Sequence, residues 1–263
     1  MRQYGIIGNP LGHSWSAQLF NARFESEGIN AHYALYPMSE LNMSTLDALV
    51  RRNRLSGFSV TIPYKQTIIP LLDEVKETAA AIGAVNVVKV EWQGDSYRLV
   101  GYNTDYAGFR ESLLPMVERL NTDDRLQALV LGTGGAARAV AYALSSPYGD
   151  RQWDWEVTFV SRNAEPNGIR TKVLTYSQLS EEIVRSTTLI VNGTPLGMSP
   201  HIEACPPIPY EFIGKEHILY DCIYNPEQTL FLRKGSEHGA ATQNGMQMLK
   251  LQAQAAWQIW NKD

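Results

Sequence analysis

The sequence predicts an α/β fold divided into two domains, each built on a mostly parallel sheet. Two observations predict it. Short apolar runs alternate with helical patterns from Tyr4 onward, and a second alternating series starts at Leu126, after the polar break "NTDDR". The chain of 263 residues is long enough to give each series its own core.

The first strand is "YGIIG", a short apolar run ended by glycine, and "SAQLFNARFESEG" follows with apolar residues at helical spacing. "AHYALYP" is the second strand, "LDALVRRN" the next helix and "GFSVT" the third strand. Alternation of this kind marks βαβ units, whose crossovers make neighbouring strands parallel. "TAAAIGAVNVVKVEW" and "DSYRLVGY" read as two strands able to pair as a ribbon. A long helix from about Asp105 to Leu120 leads to "NTDDR", and the domain border is placed near it. The second series runs through "LQALVLG", "VTFVSRN", "TLIVNG" and "HILYDCIY", each a strand-length apolar run. An amphipathic helix over roughly 244–260 closes the chain and is expected to return to the first domain.

Charge and composition narrow the partners. Net charge is −4 and no block of basic residues occurs, so the electrostatic footprint of a nucleic-acid binder is missing. The start, "MRQYGIIGNP", lacks the apolar core of a signal peptide, and no apolar run is long enough to span a bilayer; a cytoplasmic protein is expected. Cys205 and Cys222 are too far apart for a CxxC site and too few for a disulfide framework, which leaves them as inert thiols. No metal site is expected. A small molecule is the expected partner, with self-association into a homodimer left open.

Within "LQALVLGTGGAARAVAYALSS" a strand is followed by Gly132, Thr133, Gly134, Gly135, Ala136 and Ala137, and then by an alanine-rich helix. Gly132 suits a tight turn, Gly134 a close approach of backbone to pyrophosphate, and Ala137 the packing of helix on sheet. A plain tight turn would use the same glycines, but the strand before and the helix after favour a nucleotide. The C-terminal domain is therefore predicted to be a Rossmann-like nucleotide-binding domain. Its next strand ends at Ser161 and Arg162 rather than at an acidic residue. A carboxylate there would bind the ribose 2′-hydroxyl of NAD, whereas a guanidinium suits the 2′-phosphate of NADP, so NADP is the predicted cofactor. In the alternative, Arg162 is an ordinary surface residue and Glu165 takes the ribose.

Ligands of open α/β sheets gather beyond the carboxyl ends of the strands, so polar residues there belong together. Ser14 and Ser16 follow the first strand, where either would also serve as a helix N-cap. Thr61 and Lys65 follow "GFSV". Thr61 has a capping role open to it. Lys65 does not, because "GFSVTIPYK" puts a cation where a helix is expected to start, against the helix dipole. Asp105 opens the long helix, where a carboxylate suits the dipole. Asn86 interrupts "AVNVVKV" as either a satisfied core amide or a ligand. Gln252 lies beside the apolar face of the last helix, at helical spacing from Met248 and Ala256. Taken together, hydroxyls, amides, a carboxylate and an ammonium at one sheet edge suit a small, many-hydroxylated molecule.

These residues fall in motifs that resemble the shikimate dehydrogenase family over essentially the whole chain. "GNPLGHSWS", "GFSVTIPYK", "IGAVN", "GYNTDYAGF", "GTGGAAR", "NGTPLGM", "YDCIYNPEQTLFL" and "GMQMLKLQA" occur in family order. The resemblance implies an NADP-linked oxidoreductase that interconverts 3-dehydroshikimate and shikimate on the route to aromatic compounds. It implies that residues 1–105 with 240–263 form the substrate-binding, catalytic domain and residues 106–239 the dinucleotide-binding domain. Ser14 and Ser16 would hold the substrate carboxylate, with Tyr224 nearby. Thr61, Asn86 and Gln252 would bind hydroxyls, and Lys65 with Asp105 would form the catalytic pair. Gly132 to Ala137, Ser161 to Asn163, Asn192 to Met198 (Thr194 among them) and Gly245 would line the cofactor cleft.

The chain departs from the family's pattern in places. Ala17 and Phe20 stand where proline and histidine are usual, and Ser59 where asparagine is common. Ser161-Arg162-Asn163 replaces the usual Asn-Arg-Thr, which keeps the guanidinium but removes a hydroxyl able to contact the 2′-phosphate. Rival readings are a quinate/shikimate dehydrogenase of broader substrate range or NAD use, a non-catalytic metabolite or nucleotide sensor on the same fold, and a folate-linked dehydrogenase. The last leaves the serine and "NTD" motifs without a purpose, and a pure binder has no need of the Lys65 and Asp105 pair.

Overall fold

A computed structural model of the chain describes residues 1–12, 14–120, 125–147, 154–163, 169 and 171–262. The chain divides into two compact units, Met1–Asp105 with Lys250–Asp263, and Tyr106–Leu249. In the first unit the elements are β1 (Arg2–Gly8), α1 (Trp15–Ser26), β2 (Ala31–Pro37), α2 (Met43–Asn53), β3 (Leu55–Val60), β4 (Glu74–Val75), α3 (Glu77–Ile82), β5 (Val87–Gln93) and β6 (Ser96–Tyr102). The strands lie in the order β2-β1-β3-β5-β6-β4. β1 pairs in parallel with β2 and β3, as the βαβ pattern requires, and β5 and β6 form the antiparallel ribbon. Helix α1 is tied to β2 by Asn21, whose amide exchanges two 2.9 Å bonds with the Tyr33 backbone.

The core of this unit includes an aromatic cluster of Tyr4, Phe20, Phe24, Tyr33, Trp257 and Trp260. Phe20, in place of the family's histidine, stacks on Tyr33 with ring centres 4.8 Å apart, so this departure serves packing. Trp260 lies over Gly57, where a Cβ would come within 2.4 Å of the indole, and its Nε1 donates to the Val88 carbonyl at 2.9 Å. A bare backbone at Gly57 is what lets the chain's C-terminal end seat on this sheet.

The second unit continues from α4 (Asp105–Val117) through β7 (Leu126–Leu131), α5 (Gly135–Ser145), β8 (Trp155–Ser161), β9 (Val173–Thr175), α6 (Glu181–Ser186), β10 (Leu189–Asn192), β11 (Ile218–Asp221), α7 (Leu230–Glu237), β12 (Ala241–Gln243) and the first turn of α8 (Met246–Trp260), whose residues from Lys250 onward belong to the first unit. Its sheet runs β12-β11-β10-β7-β8-β9, with parallel pairing throughout. Leu126, Ala128 and Val130 of β7 pack into one core cluster, while Leu129 and Leu131 pack into another. That alternation shows a sheet buried on both faces, as helices on either side demand. The order reverses at β7, which neighbours both β8 and β10, and α5 starts from this switch point. The α/β class, the mostly parallel sheets and the Rossmann-like second unit match the sequence reading. Among the described residues no helix is long and apolar enough to cross a membrane.

Three local expectations are corrected. No helix starts at Lys65: residues 62–68 form a run of turns ending in a short 3-10 helix over Ile69–Leu71. Pro63 and Pro70 lack the amide hydrogens a longer helix needs, and the Lys65 carbonyl accepts instead from the Val85 amide at 2.7 Å. The alanines read as the start of a strand form α3, which Gly83 ends in the left-handed region at φ 70°. Residues 240–249, expected with the first domain, group with the second unit, because β12 pairs with β11.

Candidate active site

Asp105 ends the first unit's run through β6 and begins α4, where its charge suits the first turn. Its side chain is 1% exposed, and its Oδ2 accepts from Lys65 Nζ at 2.6 Å. Its Oδ1 accepts from Asn86 Nδ2 at 2.9 Å. Asn86 is itself fixed from both ends. Its backbone bridges β3 and β6, receiving the Val60 amide at 2.8 Å and donating to the Tyr102 carbonyl at 3.0 Å. Its Oδ1 accepts from the Thr104 amide at 2.7 Å, which turns the Nδ2 hydrogens toward Asp105. Those two hydrogens face three acceptors: Asp105, Thr104 Oγ1 at 3.0 Å and Gln252 Oε1 at 3.3 Å. The amide left open by the sequence as core group or ligand is thus a satisfied, buried hub that orients the carboxylate.

Lys65 is mostly buried, at 17% side-chain exposure, with its ammonium paired to Asp105. The turns of residues 62–68 bring it there, and Tyr64 anchors them by donating from its hydroxyl to the Met38 carbonyl at 2.6 Å. Thr61 precedes them, its amide donating to Ile7 at 3.0 Å. A Cβ on Gly8 would lie 2.5 Å from the Thr61 methyl, so the bare glycine sets how Thr61 sits. Ser14 occupies the N-cap of α1 but its hydroxyl makes no capping bond, although the residue is buried. Capping therefore does not account for it. Ser16 is half-buried in the first turn; His13 of the same motif lies outside the described residues.

In the second unit Gly132 has φ +95°, and a Cβ there would meet the Thr194 methyl at 2.9 Å, so only glycine fits. Gly134, at the N-cap of α5, has open space where a Cβ would be, and no side chain caps the helix. Gly135 and Ala136 form its first turn and Ala137 is fully buried. Bare backbone before a helix N-terminus fits a pyrophosphate. Ser161 ends β8 and accepts from the Asn163 amide at 3.2 Å, and Arg162 is exposed between them. Glu165 lies outside the described residues.

Asn192 behaves differently from a lining residue. It is fully buried, with Oδ1 accepting from the Thr194 amide and hydroxyl at 3.0 and 2.6 Å, and Nδ2 donating to Leu196 at 3.2 Å and Asp221 at 3.1 Å. Met198 is exposed. Gly245 donates to the Ile223 carbonyl at 2.9 Å, and a Cβ there would strike the Cys222 carbonyl at 2.3 Å. Tyr224 is half-buried, and burial raises its phenol above the usual range.

Sequence reasoning passed over Thr104 and Asp221. Thr104 stands inside the quoted "NTD", a hydroxyl before a strand-end carboxylate. Asp221 is a carboxylate ending the apolar run "HILYD", fully buried. Burial pushes it up to about 6, against bonds from Thr229, the Ile223 amide and Asn192.

A family model described as the shikimate dehydrogenase substrate binding domain matches residues 6–88. A shikimate dehydrogenase (NADP(+)) of Methanococcus maripaludis is 35% identical over 97% of this chain and 90% of that protein. The solved shikimate dehydrogenase of Aquifex aeolicus superposes with a TM-score of 0.83 at 34% identity, covering 99% of this chain and 92% of that one. The shikimate 5-dehydrogenase of Thermus thermophilus, solved in complex with NADP(H) and shikimate, superposes with a TM-score of 0.80 at 32% identity, covering 99% and 94%. By sequence and by fold alike, the chain belongs to the shikimate dehydrogenase family.

Proposed function

We propose that this chain catalyses the reversible, NADPH-dependent reduction of 3-dehydroshikimate to shikimate in chorismate and aromatic amino acid biosynthesis, with Lys65 at the reacting oxygen. The observation that carries this reading is the 2.6 Å contact between Lys65 Nζ and the buried Asp105 carboxylate, in a member of this family. Reduction of a ketone adds a hydride to carbon and a proton to oxygen, and negative charge grows on that oxygen as the carbon is attacked. Bound NADPH supplies the hydride. Lys65 Nζ donates a hydrogen bond to the carbonyl oxygen, stabilises the growing charge and gives up the proton, leaving a neutral amine that water reprotonates. Asp105 takes no part in bond-making; it fixes the direction of the ammonium, as Asn86 fixes Asp105.

Ser14 and Ser16 hold the substrate carboxylate, and Thr61 and Gln252 bind its hydroxyls. The Ser14 hydroxyl, which makes no capping bond, supports the first assignment. Asn86 meets the substrate only through what its neighbours leave of its amide. Tyr224 is assigned near the carboxylate on the resemblance alone. The open backbone at Gly134 and the exposed guanidinium of Arg162 support NADP, with the pyrophosphate at the start of α5 and the 2′-phosphate at Arg162. Mixing the protein with shikimate and NADP tests the reading. Absorbance should rise at the reduced-nicotinamide band, and a flat trace with folded protein refutes it.

A further inference from the structure

Asp221 is a buried carboxylate that the proposed chemistry leaves unused. Both of its oxygens accept from neighbours with a defined job. Its Oδ2 accepts from the Thr229 hydroxyl, the N-cap of α7, at 2.6 Å. Its Oδ1 accepts from the Ile223 amide at 2.9 Å and from Asn192 Nδ2 at 3.1 Å. Asn192 passes this constraint on. It closes the loop over residues 193–197 by accepting from the Thr194 amide and hydroxyl and donating to the Leu196 carbonyl. The loop then packs on the glycine turn: the Thr194 methyl would lie 2.9 Å from a Cβ on Gly132, and a Cβ on Gly193 would lie 2.9 Å from the Ala137 Cβ.

We infer that Asp221 is a positioning residue for the pyrophosphate cradle: acting through Asn192 and Thr194, it holds the 193–197 loop against the Gly132 turn. This rests on the proposal that the turn binds NADP. Packing alone does not explain a carboxylate here, since burying a charge costs desolvation that its hydrogen bonds only partly offset. An asparagine at this position would present an amide to the Thr229 hydroxyl on one side or to Ile223 and Asn192 on the other. With its oxygen kept toward Ile223 and Asn192 it gives up the charge and turns an amide on the Thr229 hydroxyl, which must then accept rather than donate; turned the other way it faces two N–H donors with its own and loses both bonds.

The test is calorimetric titration of NADP+ and, separately, of shikimate into the full chain and its variants Asp221→Asn, Thr229→Val and Thr229→Ser. The inference predicts that Asp221→Asn and Thr229→Val each raise the Kd for NADP+ about tenfold, a shift of about 1.4 kcal/mol. Thr229→Ser, which keeps the hydroxyl, should stay close to the parent, and shikimate affinity should hold in all variants. Folded variants that bind NADP+ like the parent, or that lose shikimate affinity in proportion, overturn it. Should Asp221→Asn fail to fold, Thr229→Val decides alone, since it deletes one hydroxyl. A parent chain that binds no NADP+ refutes the cofactor reading and the inference together; normal binding by the parent with unaffected variants refutes the inference only.

Discussion

Lys65 and Asp105 stand 40 positions apart in the chain and meet through a 2.6 Å contact between Nζ and Oδ2. The carboxylate is nearly inaccessible and the lysine side chain keeps a small exposed share. Burying such a pair removes hydration that the mutual attraction only roughly offsets, so stability alone is a weak reason to keep it. A cation held in a fixed direction with one side free is what a developing oxyanion requires.

Asn86 provides the first prediction. Removing its amide in Asn86→Ala leaves Asp105 Oδ1 without its donor, a loss of about 1–3 kcal/mol for a buried bond, so kcat should fall by roughly one to two orders of magnitude. Thr104→Ser keeps the amide and hydroxyl contacts and should stay near the parent rate. Steady-state kinetics decide it. An Asn86→Ala chain with normal kcat and only a raised KM for shikimate would make Asn86 a ligand and not an orienting group.

Cofactor choice turns on Arg162, exposed at the end of β8. Arg162→Ala should raise the KM for NADP by about tenfold, the scale of one charge-assisted contact, and leave the KM for NAD nearly unchanged. Comparing kcat/KM for the two nucleotides measures this. Equal losses with both would show that Arg162 does not read the 2′-phosphate.

Asp221 predicts a pH dependence of stability. Burial raises its carboxyl from 3.8 to about 6, so between those values the folded chain holds a proton that the unfolded chain releases. Its contribution is therefore complete below about pH 3.8 and is lost as pH rises through about 6. Relative to Asp221→Asn, which does not titrate, the parent should lose about 1 kcal/mol between pH 5 and pH 7. Denaturant titrations at the two pH values measure the gap. A gap that instead grows in the parent's favour toward pH 7 would mean the ionised form is the one the fold prefers.

How much of this was legible depends on the range of the interactions. The Gly132 turn and the parallel sheets could be read because local spacing carries them: a strand, a glycine at positive φ and a helix in succession. The convergence of Lys65 and Asp105 was readable only as a motif pair, and the reason first given for singling out Lys65 does not hold. It sits in turns rather than at a helix start, because two prolines interrupt the segment. The alanines of α3 merged into a strand because a short apolar run has no clear period. Asn86 gives no local sign that its hydrogens are committed to Asp105. Trp260 against Gly57 and Asp221 beneath Asn192 depend on contacts across the sheets, which no window of sequence contains.

Lys65→Ala tests the central claim most directly. With the ammonium gone, kcat for shikimate oxidation should fall by about two to four orders of magnitude, the usual worth of a positioned acid or base, while the Kd for NADP stays at its parent value and confirms a folded chain. A Lys65→Ala chain that binds NADP and turns shikimate over at a near-parent rate would contradict the account.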